Sequence, residues 1–239
     1  GDRTAIRGTG GGADMGYALQ DQAFSFIRAF GPLKMNGLNV TAIPGTLSLS
    51  TGAGTAYVLG GFYQQDQNNP STYDTSAFPT ASLARWYRGS GSFISDNNGG
   101  AFYTTVDNQH WDNGSGTLQT VGNGNWTIQR VFFNPINGKN TVYYGQKVYT
   151  SLADARNNIA TDPFEEGTLT AHNNVFIAYL ILQGNASNTD LSNAVNAVIQ
   201  AGLFRNTVGG SGGTTFTTTL DSLSDVSKNL RNNNNKIRS

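Results

Sequence analysis

The sequence predicts a mainly β fold, with sandwich-like antiparallel sheets and a few short helices. From Leu38 onwards the chain is a series of short runs rich in β-branched and aromatic residues. Glycine, asparagine, aspartate or proline separates most runs from the next, as is typical of strands joined by turns. A chain of 239 residues is also long enough to bury roughly 70% of its unfolded surface, so it can build a core without staples.

Composition excludes several classes of partner and site. Lys plus Arg and Asp plus Glu are equal at 15 each, and charged residues make up only 13% of the chain. We therefore expect no nucleic-acid partner and no attraction to anionic lipid. Cysteine is absent, which excludes a disulfide framework, a thiolate nucleophile and cysteine metal ligands. No apolar run approaches the roughly twenty residues of a membrane span.

Glycine clusters at residues 8–12 and 209–213 have the composition of flexible linkers and bracket the sequence. They suggest one folded body in a longer string of modules. The predicted organisation is a linker or arm over residues 1–16, a helix plus β region over 17–107, a β module over 108–208, and a glycine-rich linker with a C-terminal segment over 209–239.

Helices are predicted at a few places. Residues 17–30 carry apolar side chains at helical spacing before Gly31 and Pro32 end the run. Ser151 and Asp154 resemble a capping box, which predicts a helix start. Residues 189–199 are the weakest candidate for a helix, and residues 160–170 are predicted to be a loop.

Among the strands, two predictions depend on clear local signals. Asn-Gly pairs tolerate positive φ, as a type I′ hairpin turn requires, and Asn137-Gly138 lies between two long β runs. A hairpin is therefore predicted there. Residues Val175 to Leu182 form the longest apolar run, which predicts a buried central strand.

The stretch "HWDNGS" raises the question of catalysis. His110 and Asp112 alternate with Trp111, so the two could share a face of a strand, and Ser115 lies nearby. However, the sequence has no nucleophile elbow of the G-x-S-x-G kind. We therefore predict no catalytic residues, and interpret the stretch as a strand entering an Asn-Gly turn with Trp111 in the core or at an interface.

Metal and cofactor signals are equally weak. His172 follows an acidic loop containing Asp162, Glu165 and Glu166, but the spacing matches no metal motif. Residues 96–100 begin like a calcium loop and lack its later ligands. No glycine-rich pattern fits a phosphate site, so no metal and no cofactor are predicted.

Aromatic residues are the remaining candidates for binding. Tryptophan and tyrosine present a flat apolar face with a polar edge, which suits either sugar stacking or contacts between subunits. The alternative is core packing, which strand alternation favours for at least half of them. The predicted binding residues are Trp86, Tyr87, Trp111 and Trp126.

A longer pattern carries a resemblance to a known family. Residues 108–206 resemble a module of bacteriophage tail fibres and related tail structural proteins, in which a "YGQ…Y.SLA.A" step precedes an apolar strand and an "F..AG.F" ending. The matching residues are Tyr144-Gly145-Gln146, Tyr149, Ser151-Leu152-Ala153, Ala155, Ala178-Tyr179-Leu180, Asn185-Ala186 and Ala201-Gly202-Leu203-Phe204.

The resemblance implies a noncatalytic structural protein of a virion, in a tail fibre, baseplate or neck appendage, that contributes to assembly and host attachment. It implies an extracellular location on the virion, association of identical chains as a homotrimer, and contacts with other tail or neck proteins. Host surface glycan is a further expected partner. The alternatives are a glycan-binding module for receptor recognition and a polysaccharide depolymerase.

Overall fold

The computed structural model describes residues 31–59, 61–64, 66–96 and 100–202, together with residues 18, 21, 22 and 25. The chain divides into two compact units, Gly1–Gly209 and Gly210–Ser239, and every described residue belongs to the first. Of the predicted N-terminal helix, only the four isolated residues are described, and each is helical. Its apolar positions, the arm over residues 1–16 and the C-terminal segment lie outside the described residues.

The prediction of a mainly β fold with sandwich-like antiparallel sheets and short helices is confirmed. The helices are α1 (Leu152–Asn157) and α2 (Thr168–Asn173). The strands are β1 (Leu33–Gly37), β2 (Val40–Ala42), β3 (Leu49–Thr51), β4 (Gly54–Tyr57), β5 (Thr72–Thr75), β6 (Leu83–Arg88), β7 (Phe93–Ser95), β8 (His110–Asp112), β9 (Leu118–Thr120), β10 (Trp126–Asn134), β11 (Lys139–Tyr143), β12 (Val148–Tyr149), β13 (Val175–Gln183) and β14 (Ala197–Gln200). Within the described residues, neither helix is long and apolar enough to cross a membrane.

A seven-stranded sheet forms the centre of the fold. Its strand order is β14-β13-β10-β11-β6-β7, with β12 paired to β10 beside this path. All pairs are antiparallel except β11 with β6, which run parallel. Because β6 and β7 precede residue 107 and the other strands follow it, the boundary predicted between residues 107 and 108 falls inside one sheet.

The two faces of this sheet are buried differently. On the first face, Val131, Phe133 and Leu180 pack with residues of the small sheets β1-β4-β5 and β2-β3, which form the second layer of the sandwich. On the second face, Ile128 and Phe132 pack with α1 residues. The predicted central strand is confirmed, since β13 is buried over Val175–Leu182 and pairs with both β10 and β14.

The predicted hairpin is present, but its turn type was wrong. The last pair of β10 and β11 is Asn134 with Lys139, which leaves a four-residue loop instead of two. Only Gly138 in this loop has positive φ, at 66°. Side-chain oxygens explain the longer loop, because those of Asn134 and Asn137 accept hydrogen bonds from the backbone N–H of Ile136 (2.9 Å) and Lys139 (3.0 Å).

The helix predictions after residue 150 had mixed outcomes. Helix α1 begins as predicted, with the Ser151 hydroxyl accepting a hydrogen bond from the Asp154 N–H at 3.0 Å. The helix predicted over residues 189–199 is wrong, because this stretch consists of turns followed by β14. The loop predicted over residues 160–170 was wrong at its end, where α2 begins at Thr168.

Candidate functional site

A groove of about 1010 Å³ lies on the second face of the seven-stranded sheet. Helix α1 contacts β10, β12 and β13, whereas the floor of the groove is formed by β6, β7 and β11. The floor residues alternate along each strand, as expected for side chains that share one face. They are Ala84, Trp86 and Arg88 of β6, Phe93 and Ser95 of β7, and Lys139, Thr141 and Tyr143 of β11.

The α2 side of the groove is fixed by polar contacts with the floor. The Tyr143 hydroxyl lies 2.7 Å from the Thr170 hydroxyl and accepts a hydrogen bond from the Gly167 N–H at 3.1 Å. The Gln146 side chain makes two bonds with the backbone of Glu165, at 2.7 and 2.8 Å. These contacts hold the loop before α2 in place, so the groove is a preformed feature of the fold.

The charges lining the groove balance. Its cations are Arg88 and Lys139, and its carboxylates are Glu165 and Glu166. Arg88 lies 3.7 Å from the Glu165 carboxylate, and its Nε donates to Asp112 at 3.0 Å. The Lys139 ammonium lies 5.1 Å from the centre of the Phe102 ring. Since Asp112 also neutralises Arg88, the groove has no excess of positive charge.

Exposed apolar side chains mark the rim. Phe102 is 43% exposed, Ile136 64% and Leu169 77%, and all three line the groove. Large exposed apolar surface that gathers at one place is a common sign of a binding site. These residues are not among the four predicted for binding, because they come from separate segments that only the folded sheet brings together.

The four aromatic residues predicted for binding do not form one platform. Trp86 is half-buried in the floor of the groove. Tyr87 points to the opposite face of β6, where its ring meets Tyr144 edge-on at 6.3 Å. Trp111 lies on β8, and the Trp126 indole at the start of β10 donates to the Val195 carbonyl at 2.7 Å. Only Trp86 of the predicted set lines the groove.

The histidine and aspartate of "HWDNGS" have separate partners. Asp112 is 1% exposed and accepts hydrogen bonds from the backbone N–H of Arg88 and of Gly114, each at 2.8 Å. His110 instead lies 2.8 Å from Asp107 through its Nδ1. The stretch is a strand that enters a turn at Gly114, where φ is 80°, as the sequence predicts.

A second polar cluster gathers two carboxylates around one phenol. The Tyr144 hydroxyl lies 2.7 Å from the Asp96 carboxylate and 3.2 Å from that of Asp107. Arg85 lies 4.0 Å from the first carboxylate and 3.9 Å from the second. Burial, and then the negative charge of Asp107, raise the pKa of Tyr144 above its usual value, so its hydroxyl stays protonated and acts as a donor. The cluster ties β6, the end of β11 and the intervening loop together.

A third polar cluster is fully buried under the second face. Arg130 forms a 2.7 Å ion pair with Asp162, whose side chain is 0% exposed. The Tyr149 hydroxyl donates to the same carboxylate at 2.5 Å, and the Phe164 ring lies 4.1 Å from the guanidinium carbon. Since solvent does not reach this ion pair, its role is to connect β10, β12 and the loop after α1.

The residues considered for metal binding do not converge. Asp162 is committed to Arg130, whereas Glu165 and Glu166 line the groove and His172 is exposed on α2. Across the part of the chain that the structure describes, no group of three or more His, Cys, Asp or Glu side chains is arranged to hold a metal ion. In the other candidate stretch, residues 97–99 lie outside the described residues, and Asp96 bonds to Tyr144.

The residues of the motif that resembles tail proteins make contacts that stabilise the fold. Tyr144 and Gln146 anchor the loops described above, Tyr149 binds Asp162, and Ser151 caps α1. A Cβ atom on Gly145 would lie only 2.7 Å from the Cβ of Thr127, so the backbone passes too close for a side chain. Leu203 and Phe204 of the same pattern lie outside the described residues.

A scan of protein-family models finds no matching family, and searches of curated proteins and of solved structures find no match either. The resemblance to tail proteins therefore stays a prediction that rests on the residues of the motif.

Proposed function

We propose that this chain is a noncatalytic structural module of a phage tail appendage, in a fibre, baseplate or neck, with roles in assembly and host attachment. One observation carries the proposal. The "YGQ…Y.SLA.A" residues, which resemble those of tail proteins, are in this chain the residues that lock the β11-to-α1 segment onto the sheet. Contacts of this kind support a scaffold role for these residues.

The disposition of the acidic groups supports the noncatalytic part of the proposal. Asp112 accepts bonds from the Arg88 and Gly114 backbone, and Asp162 is sealed in its ion pair with Arg130. Asp96 and Asp107 bracket a neutral phenol next to Arg85. Each of these carboxylates thus holds parts of the fold together, which is what a particle component needs when it has no cysteine for disulfides.

Exposed apolar side chains away from the groove support association of identical chains. Met35 is 53% exposed, Tyr63 57% and Ile94 37%. Ile94 lies on β7, the last strand on its side of the sheet, and an edge strand is a ready surface for pairing with another chain. Parallel association into a homotrimer would cover part of this surface.

The test combines location with assembly. Antibodies raised against the purified chain should label one place on the tail of phage particles in immunogold electron microscopy. Sedimentation equilibrium of the full chain should give the mass of a trimer. Particles without label, together with a strictly monomeric chain at high concentration, would overturn the proposal.

A further inference from the structure

We infer that the groove over β6, β7 and β11 binds a neutral oligosaccharide, with Trp86 and Phe102 as its stacking surfaces. This inference deepens the attachment role of the proposed function and rests on it for its biological setting. Four features of the groove support it: the chemistry of its lining, its charge, its size and its place on the sheet.

The groove carries aromatic rings in its floor and at its rim. Sugar rings carry apolar C–H faces next to polar hydroxyls, and flat aromatic side chains with polar neighbours match that surface. Trp86 and Phe93 both lie in the floor, and Phe102 is 43% exposed at the rim. A ligand that covers the exposed Phe102 ring removes apolar surface from water, which favours binding. Trp86 lines the same groove.

The polar lining is of the kind that recognises hydroxyl groups. Between the aromatic residues, the groove presents neutral amides and hydroxyls, which can donate or accept hydrogen bonds. They include Ser92, Asn134, Asn137, Thr168 and Asn173. A ligand with many hydroxyl groups can use such a mixed lining. The oxygens of Asn134 and Asn137 and the Nδ2 of Asn173 already bond within the protein, which fixes the orientation of these amides.

Charge selects a neutral ligand. Arg88 is paired with Asp112 and lies 3.7 Å from Glu165, so its charge is already compensated within the protein. Arg88 and Lys139 are matched in number by Glu165 and Glu166. With Asp112 counted, three carboxylates accompany these two cations, so an anionic glycan would bring a charge that the groove does not complement.

Size selects an oligosaccharide instead of a single sugar. The volume of about 1010 Å³ reaches the upper end of the usual range for small-molecule sites, which is roughly 300 to 1,000 Å³. The floor strand from Ala84 to Arg88 extends roughly 13 Å at about 3.3 Å per residue. This space accommodates a short chain of sugar rings.

The place of the groove argues against an extended peptide as its occupant. Peptides that bind to sheets commonly add a strand at an edge, where backbone N–H and C=O groups are unpaired. The floor strand β6 is instead paired on both sides, with β11 and with β7. A peptide could add a strand only at β7, the end of the sheet beside the groove, so recognition over β6 and β11 depends on side chains, as it does for sugars.

The test is direct binding by the purified full chain. A panel of neutral oligosaccharides, including chitotriose, maltotriose and mannotriose, is compared with the anionic sialyllactose by tryptophan fluorescence titration. We expect saturable binding of at least one neutral sugar and none of sialyllactose. Phe102→Ala should weaken that binding by about tenfold, and Trp86→Phe should abolish the fluorescence change.

Matched controls separate this site from the rest of the surface. Tyr63→Ala removes an aromatic ring that is 57% exposed outside the groove, and Trp111→Phe removes a tryptophan on another sheet. Both variants should bind as the parent does, and circular dichroism should show that all variants remain folded.

The inference fails if the chain binds none of the neutral sugars, if it binds only the anionic one, or if Phe102→Ala binds as tightly as Tyr63→Ala. Each of these outcomes leaves the labelling of phage particles unaffected, so failure of the sugar site and failure of the proposed function are distinguishable.

Discussion

At the scale of single residues, the fold depends on polar groups placed where solvent does not reach. Arg130 and Asp162 have side chains that are only 4% and 0% exposed, with Tyr149 as a third member. The free-energy cost of desolvating two buried charges offsets most of the free energy of their attraction. The main consequence of the pair is therefore that loss of either residue would leave the other as an uncompensated buried charge, which destabilises the fold.

Replacing Asp162 with Ala should show this dependence. The substitution leaves the Arg130 guanidinium buried without its carboxylate, so we expect the free energy of unfolding to fall by about 3–5 kcal/mol. Urea unfolding followed by circular dichroism measures it. The double variant with Arg130→Met should recover part of the loss, and a single-variant loss below about 1 kcal/mol would contradict the buried role of the pair.

Tyr144 gives a prediction about alkaline pH. Its pKa is raised in the folded state, by burial first and by Asp107 next, whereas the unfolded chain releases this proton near pH 10. Above that pH the folded state holds more protons than the unfolded state, so stability falls as pH rises, by up to about 1.4 kcal/mol per pH unit from this group.

The comparison is urea unfolding of the parent and of Tyr144→Phe between pH 9 and pH 11.5. The variant lacks the titrating group, so its stability should decline less steeply above about pH 10. Equal slopes for the two proteins would show that Tyr144 titrates normally in the fold.

At the scale of elements, the sequence predicted best where the signal is local. The Ser151 cap and the apolar run of β13 lie within the elements that they specify, and both are in the structure as expected. The helix predicted over residues 189–199 is absent because polar side chains there hold turns: the Asp190 carboxylate accepts from the Ser192 N–H at 2.9 Å and the Asn193 oxygen from the Val195 N–H at 3.2 Å. The segment just before it is fixed by a long-range contact that no local pattern predicts. The Asn108 amide donates to the carbonyls of Gln183, Asn185 and Asn188, across 75 or more positions of sequence.

The close approach at Gly145 predicts a strong local effect of a small change. A Cβ there would lie 2.7 Å from the Cβ of Thr127 and 3.0 Å from the Ile128 carbonyl oxygen. Gly145→Ala should lower the free energy of unfolding by about 1–3 kcal/mol through overpacking. Thermal melts of the variant should show a lower Tm.

Gly52 provides the matched control, since a Cβ on it would meet backbone atoms of Asn39 no closer than 3.6 Å. Gly52→Ala should stay within about 0.5 kcal/mol of the parent. Equal effects of the two substitutions would mean that the Gly145 contact does not constrain the fold.

At the scale of the whole molecule, the candidate site was only partly predictable. Trp86 was among the residues expected to bind, because a tryptophan in a mostly polar chain is conspicuous. Ile136 and Leu169 carried no such signal, and Phe102 was not distinguished from the other aromatic residues of the chain. The parallel pairing of β6 with β11, for example of Leu83 with Asn140, brings the segments that carry these three residues to the same groove. A parallel pair joins distant segments, and local sequence patterns give no register for it.

The same pairing makes a prediction about the division of the chain. A fragment of residues 108–208 keeps β10, β11, β13 and β14 but loses β6, the parallel partner of β11. It also loses the first-face core residues Leu38, Leu49 and Leu83, each 0% exposed in the whole chain. The fragment would expose both a strand edge and the apolar face that those residues cover.

We therefore expect the fragment to lack a cooperative thermal transition and to aggregate. The folded part of the full chain that contains the seven-stranded sheet should instead unfold in a single cooperative step. Circular dichroism melts and the dispersion of amide resonances in NMR spectra distinguish the two. A fragment that melts cooperatively and shows dispersed resonances would mean that the tail-like segment folds by itself. In that case the strands before residue 107 would not be needed for the fold of residues 108–208. The groove would then require β6 and β7 to pack against a module that is already folded.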